Sequence, residues 1–114
     1  MAVFQVRSSQ RDRQTDKERV SAIADAIEAA IISAERERAA LVIRVRDAQD
    51  LAAFTAGNNS DEYLTREPEE ARMLAGYEKQ LIAGHKRIEE LNTHVASLNA
   101  VRELCRTRFQ DGTI

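Results

Sequence analysis

The sequence predicts an all-α fold: an antiparallel two-helix hairpin of coiled-coil character that dimerises into a four-helix bundle. Three observations predict it. Charged residues make up 32% of the 114 residues and aromatics only 4%, with one Pro and four Gly. That composition favours helix, with an extended core of Ala, Leu, Ile and Val rather than a bulky compact one. Apolar residues recur at steps of three and four over two long segments, a spacing that no strand produces. Between the segments lies the helix-ending run Gly57-Asn58-Asn59-Ser60.

Residues 1–14 read as an N-terminal arm, with a short apolar patch (Val3, Phe4, Val6) followed by the loosening run Ser8-Ser9-Gln10. The hairpin proper spans 15–111. Helix 1 is expected over about 15–56. Thr15 followed by Glu18 matches a capping box, in which hydroxyl and carboxylate satisfy the free N–H groups of a first turn. A start several residues earlier, capped by Ser8 or Ser9, is the alternative reading. The stripe of helix 1 runs through Val20, Ile23, Ile27, Ile31, Ala34, Arg38, Leu41, Val45, Ala48 and Ala52. That is one eleven-residue segment followed by heptads, with only Arg38 interrupting the apolar row.

The connection is expected over about 57–66 and helix 2 over about 67–110. Pro68 suits a first helical turn, where its missing N–H costs nothing. Glu67, Glu69 and Glu70 suit the positive end of the helix dipole. The stripe of helix 2 is Leu74, Tyr77, Leu81, Gly84, Ile88, Leu91, Val95, Leu98, Arg102, Cys105 and Phe109, widened by Val101 and Leu104, and Asp111-Gly112 stops it. A short loop makes the helices antiparallel, and folding the chain at the middle of that loop sets positions adding to about 124 level with one another. Ile27 is then expected near Leu98, Leu41 near Gly84, and Arg38 near Lys86, within a turn of Glu89 and Glu90. Gly84 would allow close approach of the helices.

Helix 1 is apolar beyond a single seam, because Ala24, Ala30, Ala39, Ala40, Val42 and Ile43 flank its stripe. A two-helix contact hides only a narrow seam, whereas a bundle needs a broader face. The sequence therefore points to a partner, either a second copy or another helical protein. The residues expected to carry the packing are Ile23, Ile27, Ile31, Leu41, Val45, Leu81, Ile88, Leu91, Val95 and Leu98. An alternative function is a small adaptor or chaperone that binds one amphipathic helix of a client. Helical hairpins of about this size occur among flagellar and type III secretion accessory proteins, an analogy of fold without a shared motif.

Charge is unevenly placed. Residues 47–70 hold seven acids (Asp47, Asp50, Asp61, Glu62, Glu67, Glu69, Glu70) against one base, Arg66. The terminal end carries Arg7, Arg11, Arg13, Lys17, Arg19, Arg102, Arg106 and Arg108 against Asp12, Asp16, Glu18, Glu103 and Asp111. An antiparallel dimer would lay acidic tips over basic bases and so orient docking; the plainer reading is a solvated surface. With a net charge of −2 and few aromatics, nucleic-acid binding at the basic end is the weakest of the binding readings.

No catalytic or cofactor motif is present: no glycine-rich phosphate loop, Cys-x-x-Cys, serine elbow or calcium loop. His85 with Glu89 and Glu90 with His94 stand at i,i+4 and read as surface helix pairs. The two His lie too far apart to share a turn, so no metal is expected. The lone Cys105 sits on the apolar stripe and reads as a structural thiol; it excludes a disulfide framework and fits a reducing compartment. The expected location is the cytoplasm, and no membrane span is expected.

Overall fold

The computed structural model describes residues 8–58 and 68–109. Two helices, α1 (Ser9–Asn58) and α2 (Pro68–Arg108), pack against each other as an all-α hairpin. No strand occurs among the described residues, and no helix there is long and apolar enough to cross a membrane. The apolar patch of the N-terminal arm, most of the connection, and Asp111-Gly112 lie outside the described residues.

Helix α1 begins at Ser9, not near Thr15. Ser8 is its cap: the Ser8 Oγ accepts the Arg11 N–H at 3.2 Å, and the Ser8 carbonyl accepts the Asp12 N–H at 3.0 Å. Thr15 stands inside the helix, where its hydroxyl donates back to the Arg11 carbonyl at 3.0 Å. At the other end, Gly57 is still helical and α1 closes at Asn58. Helix α2 starts on Pro68 with Glu69 and Glu70 in its first turn and Arg106 and Arg108 in its last, each charge complementing the dipole. The Phe109 N–H closes it on the Cys105 carbonyl at 2.9 Å.

The chain divides into two compact units. One comprises Met1–Ser33 with Ala96–Ile114, the other Ala34–Val95. In the first, Val20, Ile27 and Ile31 are buried, and Leu98, Arg102 and Cys105 are half-buried. In the second, Ala34, Val45, Ala48, Leu91, Val95 and Gly84 are buried. Leu91, with 1% of its surface exposed, is the most deeply enclosed large side chain.

Among the buried and half-buried positions of α1, one row runs 20, 24, 27, 31, 34, 38, 41, 45, 48, 52 and 55, with the half-buried 15, 21 and 30 outside it. Steps of four and three alternate along this row from 20 to 55, which makes it a heptad seam. The eleven-residue opening segment is therefore corrected. Ala24 holds the seam position, and Ile23 is 45% exposed beside it. On α2 the positions 74, 77, 81, 84, 88, 91, 95, 98, 102 and 105 continue the same alternation.

Register is also corrected. A Cβ on Gly84 would lie 2.5 Å from the Val45 Cγ2, so Val45, not Leu41, is the residue that Gly84 admits. Arg38 donates to the Asn92 Oδ1 at 3.1 Å instead of standing beside Lys86. These level pairs add to 129 and 130. In the other unit Glu28 accepts from Arg102 at 2.7 Å, a pair that again adds to 130. The fit of side chains sets the register: a branched Val needs the hole that only Gly leaves, and the seam arginine needs an acceptor. The midpoint of the loop imposes neither.

Candidate interaction surface

The ten residues expected to carry packing divide by exposure. Ile27, Ile31, Val45, Leu91 and Val95 are buried, Leu41, Leu81, Ile88 and Leu98 are half-buried, and Ile23 is exposed. Side chains with an apolar contact on one side and water on the other therefore line much of the seam.

Polar pairs flank the seam in each unit. In the unit Ala34–Val95, Arg87 grips Glu37 through two parallel bonds of 2.8 and 3.1 Å and also reaches Glu90 at 3.5 Å. Hydrogen bonding from Arg87 holds the Glu37 carboxyl below its ordinary value of 4.5, with a smaller Coulombic contribution from Arg87 in the same direction. The same bond raises the Arg87 guanidinium. Both side chains remain nearly half exposed, so this bidentate pair fixes geometry more than it adds stability. The long Arg87 side chain spans the offset between its own level and that of Glu37. In the other unit, Arg102 joins Glu28 at 2.7 Å and Asn99 at 2.7 Å. That exchange satisfies an arginine on the α2 stripe.

None of these cross-helix pairs was named from the sequence: Glu28–Arg102 adds to 130, off the level set by the loop midpoint, whereas Glu37–Arg87 adds to 124 and falls on that level. Conversely, neither His85–Glu89 nor Glu90–His94 forms a hydrogen bond or ion pair among the described residues; Glu90 turns to Arg87 instead. No three His, Cys, Asp or Glu side chains converge there as a metal site. Cys105 is a free, half-buried thiol. At the terminal end, Arg19 pairs with Asp16 at 3.1 Å and Arg106 with Glu103 at 3.5 Å, so part of the cationic excess is locally matched. Of the acidic run, Asp47, Asp50, Glu69 and Glu70 are described, while Asp61, Glu62, Arg66 and Glu67 lie outside the described residues.

Away from the seam, large apolar side chains face water. On α1 these include Ile43 (60% exposed), Leu51 and Phe54 (67%); on α2 they include Ile82 (71%), Val101 and Leu104. Two shallow depressions gather some of this surface. The unit Ala34–Val95 has a groove along both helices, with Leu41, Ala48 and Leu51 on one wall and Ala83 and Gly84 on the other. Arg44, Asp47 and Gln80 rim it. The other unit has a hollow where Val20, Ile23 and Phe109 meet Arg13, Asp16, Lys17 and Arg19. Compared with known proteins, the chain matches no family model, no curated protein and no solved structure.

Proposed function

We propose that this chain is a non-enzymatic interaction protein of the cytoplasm. It works by helix-on-helix packing and associates with a second copy of itself into a four-helix bundle. The observation that carries the reading is the amount of apolar surface left in water outside the seam, which includes Ile43, Leu51, Phe54 and Ile82. Scattered exposed apolar residues are ordinary, but several large ones on long helices beside a narrow seam resemble one half of a bundle.

A standard stable interface removes about 800 Å² per partner. Each buried Å² of apolar surface contributes about 25 cal/mol.

Urea unfolding followed by helix dichroism tests the proposal when repeated over a hundredfold range of chain concentration. If folding is coupled to association, the midpoint rises with concentration, by the equivalent of about 2.7 kcal/mol over that range. A midpoint independent of concentration contradicts self-association. The exposed surface of α1 would then be a seat for the amphipathic helix of a client, the adaptor reading.

A further inference from the structure

We infer that the groove of the unit Ala34–Val95 is where a second copy of this chain docks, with its α1 antiparallel to the first about a two-fold axis between Arg44 and Asp47. The inference rests on the self-association reading and specifies its surface and orientation.

The floor of the groove is already half of a packing layer. Val45 is buried against Gly84, and Ala48 is buried beside it. Leu41 is half-buried and Leu51 half exposed. The small, exposed Ala83 on one wall lets another helix come near, and the leucines on the other wall provide apolar area for it to cover. An incoming helix would complete contacts that the hairpin makes on one side only.

Charge selects the occupant. The charges that α1 sets on the rim of the groove are Arg44 and, one turn later, Asp47. Together they carry no net charge, so the rim offers no field to a strongly acidic or basic client. Paired with itself in parallel, α1 would set cation over cation. Paired antiparallel, it sets its Arg44 over the Asp47 of the other copy, and the two-fold axis makes every such contact twice. Arg44 and Asp47 stand one turn apart on the rim, and neither has an ion-pair partner among the described residues. Each is thus available to the other chain's opposite charge.

The test is sedimentation equilibrium on the full chain and three variants: Arg44→Asp, Asp47→Arg, and the two combined. All these side chains are exposed, and helix dichroism checks that each variant is folded. Each single reversal turns two attractive contacts into two repulsive ones and should raise the dimer Kd roughly tenfold or more. The double variant exchanges the charges and should return Kd to within about threefold of the parent. A parent dimer insensitive to all three changes overturns the groove while leaving self-association standing. Single reversals that weaken the dimer without rescue in the double variant overturn the antiparallel pairing. A monomeric parent overturns both the groove and the self-association on which it rests.

Discussion

Replacing Gly84 by Ala sets two effects of similar size against each other. In a helix interior, Ala is favoured over Gly by about 1 kcal/mol. At Gly76 that term acts alone, because a Cβ there meets nothing within 4 Å. Gly76→Ala should therefore stabilise the protein by about 1 kcal/mol. At Gly84 the new Cβ would sit 2.5 Å from the Val45 Cγ2 and 3.9 Å from the Val45 Cβ. Val45 is β-branched and buried, so its side chain cannot swing aside cheaply. Either it leaves its rotamer or the helices part, at a cost of about 1–3 kcal/mol. The net effect should run from neutral to about 2 kcal/mol destabilising, and it should differ from Gly76→Ala by at least about 1 kcal/mol. Urea unfolding at one fixed chain concentration measures both. A double-mutant cycle with Val45→Ala isolates the contact: removing the valine methyls should make Gly84→Ala more favourable by about 1–2 kcal/mol. If Gly84→Ala stabilises as much as Gly76→Ala, with no coupling to Val45, then the register that places these residues together is wrong.

Other substitutions probe the seam and its flanks. Leu91→Ala should cost about 2–5 kcal/mol, as for other enclosed leucines, whereas Ile23→Gln should change stability by no more than about 0.5 kcal/mol if Ala24 holds the seam position; the same unfolding assay compares them. Glu37 has a folded-state pKa below its ordinary value of 4.5. Its contribution is therefore complete above that value and is lost as the pH falls through the depressed one. Glu37→Gln should remove this part of the acid sensitivity, leaving a shallower fall in unfolding midpoint below about pH 4.5. An unchanged pH profile would mean that the Arg87 pair does not persist in solution.

How much of this was legible depended on what each segment packs against. Helix α2 could be read because its stripe is unbroken from Leu74 to Cys105 and Pro68 marks its start. The beginning of α1 could not. With pairs adding to 130 in that unit, Ser9–Arg19 lie beyond the level of Arg108, the last residue of α2. Continued back from Val20, the alternation falls on Lys17 and Arg13, both exposed and charged, so this stretch carries no apolar period to read. Gln14–Glu18 and Arg19–Asp16 contacts along its surface accompany that stretch instead.

Ile23 and Ala24 both stand at helical spacing from Val20. Choosing the larger side chain obscured the heptad, because position and not size decides which residue faces the partner helix. A symmetric fold-back about the middle of the loop puts level positions about five off. Complementarity at Val45–Gly84 and Arg38–Asn92 decides the level instead. The ion pair Glu28–Arg102 follows from that register, whereas Glu37–Arg87 adds to 124 and is reached by the length of the Arg87 side chain. The surplus of apolar surface, in contrast, was readable from Val42 and Ile43 beside the α1 stripe, and both are exposed.

The most direct test of the functional account is absolute mass in solution, by light scattering on a sizing column across a concentration series. The account predicts a mass of twice the 12.8 kDa chain, held as the protein is diluted until it falls through the dimer Kd. A mass of one chain at every concentration would contradict it.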